Sequence, residues 1–134
     1  MIQIFCDGGC IVGRGIGARS YVIVKDGKII KVAGTAINRS GLTNNQAEYD
    51  AIIHAVSCWG SDEKITVVSD SEVVIKQING EYKVKDKNLI RKHMIVQAIR
   101  KSANIFTFVN EPRTNHYIRI ADSMNKMLME EALK

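Results

Sequence analysis

Proline is nearly absent, at one residue in 134, and the chain holds one tryptophan and three cysteines. With a lone Pro112, no low-complexity run and no internal repeat, nothing reads as a linker, so residues 1–134 are expected to form one domain, long enough to bury a core. Cys6, Cys10 and Cys58 are an odd number without paired spacing, which argues against a disulfide framework or a zinc site and leaves them as small buried hydrophobes. No apolar run approaches the roughly 20 residues that span a bilayer, and Asp7 interrupts the only N-terminal stretch that could serve as a secretory leader. A soluble, cytoplasmic protein with no membrane partner and no obligate protein partner is therefore expected. What the chain has in excess is basic charge, 19 Lys and Arg against 14 Asp and Glu, a formal +5. Such an excess suits a polyanionic partner without requiring one.

Residues 1–10 read as a strand of β-branched and aromatic residues ending in Asp7-Gly8-Gly9. Gly13, Gly15 and Gly17 punctuate a connection into a second strand, Ala18 to Lys25. Their spacing is wrong for dinucleotide binding and no helix pattern follows, so a hairpin loop is expected. Asp26-Gly27 is a two-residue hairpin signal leading into a third strand, Lys28 to Ala36. Beyond a helix that opens at Thr43, a turn is expected over Gly60 to Glu63, a strand over Lys64 to Ser69 and a short helix from Ser71 to Ile78, stopped by Asn79-Gly80. A helix over about Asp86 to Lys101, a strand near Ile105 to Val109, an irregular stretch containing Pro112 and a last helix over Ile120 to Leu133 complete the chain. Hairpins followed by alternating strands and helices imply an α/β fold with a mixed sheet and helices on its faces.

The stretch Thr43 to Val56, TNNQAEYDAIIHAV, organises the rest. Thr43 and Gln46 have capping-box spacing. Ala47, Ala51, Ala55, Ile52 and Val56 form a small-residue stripe on which the helix can lie close to a neighbour. Glu48 stands beside that stripe; alone it would read as a solvated helical acid. Asp7 and Asp70, however, fall at the ends of strands one and four, which the crossover through this helix would make parallel neighbours. Asp122, near the start of the last helix, is the natural fourth member. Clustered carboxylates raise one another's pKa and need a counter-charge. No basic residue is close in sequence to all four, and hard oxygen ligands suit Mg²⁺ or Mn²⁺. Two such ions about 3.5–4 Å apart can activate water and stabilise the leaving oxygen of a phosphodiester. For any one of the four acids, an unrelated surface carboxylate is the competing reading. Trp59 reads as packing.

Phe5-Cys6-Asp7-Gly8-Gly9, Thr43-Asn44-Asn45-Gln46-Ala47-Glu48-Tyr49, Val68-Ser69-Asp70-Ser71 and Ala121-Asp122 resemble, in order, the four signature segments of type 1 ribonuclease H. The resemblance spans nearly the whole chain. It implies a five-stranded mixed sheet in the order 3-2-1-4-5 and metal-dependent hydrolysis of the RNA strand of an RNA/DNA hybrid, leaving 5′-phosphate and 3′-hydroxyl ends. It further implies that Asp7 bridges two ions, that Asp122 shares the ion activating water, and that Glu48 and Asp70 hold the ion facing the leaving oxygen. Thr43, Asn44 and Asn45 match substrate-contacting positions, and a helix N-terminus is a good phosphate ligand on physical grounds too. Backbone around Gly8 and Gly9 could approach the RNA, whose 2′-hydroxyls distinguish it from DNA.

The chain also departs from that pattern. Many members carry a loop His shortly before the last Asp; His116 is the residue in that region, at a shorter spacing, and either an auxiliary role or a hydrogen-bonded loop His would account for it. Glu72 stands where an amide side chain is often found, so it could contact substrate or simply favour the helix dipole. The connector Gly80 to Lys87 is too short for the basic, Trp-bearing handle of larger members, which makes this a short form. Lys83, Lys85, Lys87, Arg91 and Lys92 form either a reduced basic patch or a solvated lysine cluster. Two other functions use the same features: a hybrid-binding module with little or no catalysis, and another nuclease on the same fold, such as a DNA-cleaving resolvase.

Overall fold

The computed structural model describes residues 1–57, 63–103 and 105–134; the turn expected at Gly60, the Trp59 packing and the Cys58 burial lie outside them. Runs rich in β-branched residues make three strands, β1 (Ile2–Ile11), β2 (Ile16–Lys25) and β3 (Lys28–Asn38), paired antiparallel in sequence order, the first two largely buried and the third largely exposed. Asp26 and Gly27 both take positive φ, 51° and 80°, the turn geometry whose twist matches the flanking strands. Helix α1 (Asn44–Ser57) then crosses to β4 (Ile65–Ser69), which pairs parallel with β1. Short α2 (Glu72–Ile78), long α3 (Lys87–Ala103), parallel β5 (Phe106–Asn110) and α4 (His116–Ala132) follow. The sheet order is β3-β2-β1-β4-β5, as expected.

Each sheet face buries its own helices. Ile4, Cys6, Tyr21, Ile23 and Val67 meet Ala51, Ile52, Ala55 and Val56 of α1, together with α2 and α3. Residues of opposite parity, Phe5, Val22, Val24 and Val68, meet Ile118 and Ala121 of α4. This is the period of two that a pleated strand imposes. The Ala stripe lets α1 come close: a Cβ on Gly8 would lie 2.1 Å from the Ala47 carbonyl oxygen, so only glycine permits this approach. No described helix is long and apolar enough to cross a membrane.

Strands β2 and β3 each run two residues beyond expectation, and two further boundary differences bear on the site. Strand β1 runs through Asp7-Gly8-Gly9 instead of ending there, because β2 pairs with it along its whole length. Only the parallel ladder with β4 stops early, at Cys6↔Ser69. Helix α4 begins at His116, not Ile120, because the Asn115 side chain accepts from the Tyr117 and Ile118 amides at 2.9 and 3.2 Å.

Candidate active site

Asp7 is the first residue of β1 beyond its parallel pairing with β4, where the sheet changes from antiparallel to parallel neighbours. Alternation turns its side chain to the α4 face. Glu48 arrives from α1 on the other side, held by the Gly8 amide through a short hydrogen bond to Oε1 and by the Ser69 hydroxyl donating to Oε2 at 3.3 Å. Asp70 follows β4 directly, next to Ser71, which caps α2. Asp7, Glu48 and Asp70 each present an oxygen, all within 4.8 Å of one another.

Such crowding has an electrostatic consequence. Burial, then the charges of Asp70 and Asp122, push Asp7 up to about 7. Burial first, then Asp7 and Asp70, raise Glu48 well above the carboxylate range, against the lowering effect of its Gly8 and Ser69 donors. The same acids add to burial in raising the Cys6 thiol, so Cys6 is an inert thiol under the site. Among the described residues, no ion pair neutralises Asp7, Glu48 or Asp70. A donor set of carboxylate oxygens, largely buried and lacking a cation, fits a hard divalent metal.

The acids line a cleft of about 480 Å³ together with Gly8, Gly9, Cys10, Asn44, Asn45, Ser71, Arg113, Asp122, Asn125 and Met129. Asp122 is in this cleft but outside the tight trio, one and a half turns into α4 instead of near its start, and its Oδ2 pairs with Lys126 at 3.1 Å. Asn45 is exposed at the rim; Asn44 Oδ1 accepts from the Cys10 amide at 3.0 Å, tying the start of α1 to β1. Gly9 has open space on its Cβ side, so backbone there is accessible, whereas Gly8 is covered by α1. Thr43 makes the expected capping box, its hydroxyl accepting from the Gln46 amide at 3.3 Å and its own amide donating to Gln46 Oε1 at 3.4 Å, and does not line the cleft. Glu72 also lies off it, its carboxylate 2.8 Å from Lys76 one turn on, the pairing that lowers its pKa.

His116 is not a loop residue. It opens α4, sets its ring edge against Tyr117 and borders a separate groove with Arg119, Ile120, Ser123, Met124 and Met127. Arg113, at an exposed position, is the basic side chain that does line the acidic cleft. Sequence reading gave neither Arg113 nor Asn125 a place in the site. For Asn125 a signal existed: Ile118, Ala121 and Asn125 occupy one helical stripe, and a polar residue on a buried stripe must find a partner. For Arg113, nothing local marked it within an irregular segment. In the possible basic patch, Lys92 is engaged by Asp50 at 2.5 Å, while Lys83, Lys85, Lys87 and Arg91 are exposed.

Comparison with known proteins places this geometry. The RNase H family matches residues 1–124. Ribonuclease HI of Halobacterium salinarum is 30% identical over 98% of this chain, and the chain spans 65% of that protein's length, just under two thirds. Among solved structures, LC11-RNase H1 in complex with an RNA/DNA hybrid superposes with a TM-score of 0.90 at 29% identity, covering 100% of both chains. RNase H1 from the same halophilic archaeon gives 0.87 at 30% identity, over 97% of this chain and 98% of the other.

Proposed function

This chain belongs to the ribonuclease H family, and from that premise we propose that residues 1–134 form one ribonuclease H domain that hydrolyses the RNA strand of RNA/DNA hybrids. The observation that carries the reading is the uncompensated trio of Asp7, Glu48 and Asp70 in an open cleft. It is supported by likeness over the full chain to a structure solved with an RNA/DNA hybrid. Asp7, Glu48, Asp70 and Asp122 are the proposed catalytic and metal-holding residues, with Mg²⁺ or Mn²⁺ as the ions. When bound, two divalent ions supply a water of lowered pKa and a Lewis acid at the leaving oxygen.

The chain's own residues do the rest. The Gly8 amide and Ser69 hydroxyl fix the orientation of the Glu48 carboxyl beside Asp7 and partly offset the burial and crowding that favour its neutral form. Asp7 lies within electrostatic reach of Asp70, Asp122 and Glu48, so it would be the acid shared by the ions the four residues hold. Asn44 and Asn45 at the start of α1 offer polar contacts to a phosphate backbone, and the open backbone at Gly9 gives room for the RNA strand. Arg113 is placed to meet a phosphate oxygen at the cleft rim. Thr43 contributes by capping α1, and Glu72 and His116 are assigned no contact in this reading. Unpaired thiols at Cys6 and Cys10 suit a reducing cytoplasmic setting.

The test is cleavage of an end-labelled RNA/DNA hybrid with Mg²⁺, with Mn²⁺ and with neither, beside double-stranded RNA and DNA. Metal-dependent cutting of the RNA strand alone, reduced by about 10³-fold or more in Asp70→Asn, is expected. Salt-sensitive binding of the hybrid without cutting would replace the enzyme by a binding module, and cutting of double-stranded DNA would make it a different nuclease.

A further inference from the structure

Asn125 puts a carboxamide where the α4 stripe asks for an apolar side chain. Ile118, Ala121 and Asn125 share the sheet-facing rows of the helix, and Asn125 is only 1% exposed. Its Nδ2 donates to the Asp7 main-chain oxygen at 3.0 Å and to Asp7 Oδ2 at 3.2 Å. A carbonyl partner accepts only, so the amide orientation is determined, and Oδ1 is left buried with no hydrogen-bond partner among the described residues. A buried acceptor without a partner costs the fold stability that an apolar residue would spare. Packing alone therefore does not account for asparagine at this position.

The surroundings make Asn125 a stiff support. Ser20, directly opposite Asp7 in the β1–β2 ladder, donates its hydroxyl to the Ala121 carbonyl at 2.7 Å, which anchors α4 one turn before Asn125. Glu48 has a backbone amide and a hydroxyl to orient it. Asp7, among the described residues, has the Asn125 amide as its one N–H donor. We propose that Asn125 is a positioning residue for Asp7: gripping main chain and carboxylate of one residue together, it sets the direction in which Asp7 presents its free oxygen to the ions. This inference rests on the metal-site reading above, though not on the identity of the nucleic acid cut.

Asn125→Leu keeps the bulk and removes the donor; Asn125→Ser, small and polar, carries the same measurements if the Leu variant does not fold. Mn²⁺ binding to the protein free of nucleic acid, followed by titration calorimetry, is expected to weaken roughly 10- to 100-fold, with kcat falling by a similar factor and KM for hybrid changing by less than about threefold. Thermal unfolding of the metal-free variant should show a folded protein. Mn²⁺ affinity and kcat equal to the parent in a folded variant would overturn the inference, as would a loss confined to KM or one matched by a smaller folded fraction. Parent protein that binds Mn²⁺, more weakly when Asn125 is replaced, yet cuts no hybrid would sustain the role of Asn125 and sink the ribonuclease reading. Parent protein that binds no Mn²⁺ would overturn both.

Discussion

Asp7 holds its proton to about pH 7 because it is buried beside Asp70 and Asp122, whereas an unfolded chain releases it near 3.8. Between those values the folded protein binds more protons than the unfolded one, so stability falls as pH rises through the window. Glu48, raised as well, acts with the same sign. Asp26 and Glu72, lowered by the N-terminal ammonium and by Lys76, work oppositely, but below their ordinary values. Metal-free Asp7→Asn should therefore gain on the parent as pH rises, by on the order of 1–3 kcal/mol at about pH 8. Urea unfolding in chelator at about pH 5 and pH 8 checks this; a parent as stable as the variant at the higher pH would contradict the crowding. At this scale the sequence offered the acids as candidates because Asp7 and Asp70 lie where the β1–β4 ladder stops and Glu48 stands beside a small-residue stripe, and the four signature segments tied them together. Asn125 was hidden for a physical reason. With α4 begun at Ile120, the stripe lacks Ile118, one of the two buried neighbours that mark Asn125 as facing the sheet.

The elements bring those residues together through caps and clamps that cost little in sequence. The His116-Tyr117-Ile118 opening of α4 has weak helix propensity, which is why the segment reads as irregular; two bonds from Asn115 outweigh that. Asn115→Ala is expected to lose about 1 kcal/mol in urea unfolding. The clamp on α1 is heavier. Buried Asp50 accepts from Arg39 at 2.8 Å and Lys92 at 2.5 Å, linking the segment before α1 to α3. Asp50→Ala leaves Lys92 partly buried without its anion, so a loss of about 2–3 kcal/mol is expected, discounted from the fully buried case because Arg39 is half-exposed. Since Asp50, Arg39 and Lys92 do not line the acidic cleft, kcat of the folded enzyme should stay near that of the parent. Long-range partners of this kind are not readable from spacing: Asp50 and Lys92 are 42 residues apart. Gly8→Ala, by contrast, meets the Ala47 carbonyl and must displace α1, carrying Glu48 away from Asp7. Metal binding should fall while the sheet's circular dichroism persists.

The whole molecule carries +5 yet gathers a trio of acids with no ion pair, Asp7, Glu48 and Asp70, in one cleft, at the place where β1 exchanges β4 for open space. That placement follows from topology: a sheet in the order 3-2-1-4-5 leaves the end of β1 unpaired on one side, and functional groups collect where strand direction switches. A polyanion approaching an acidic cleft must be held by cations elsewhere. Lys83, Lys85, Lys87 and Arg91 are exposed around the start of α3, whereas Lys92 is spent on Asp50, so the basic surface is narrower than composition suggested. Each phosphate contact releases counterions and adds about 0.9 to the steepness of log K against log salt. Hybrid binding by the cleavage-deficient Asp70→Asn protein should therefore weaken steeply as salt is raised. Replacing Lys83, Lys85 and Lys87 together by Ala should flatten the slope by about one for each lysine that meets a phosphate. An unchanged slope would mean that these lysines are merely solvated, and that Arg113 and the amides at the start of α1 hold the hybrid without them.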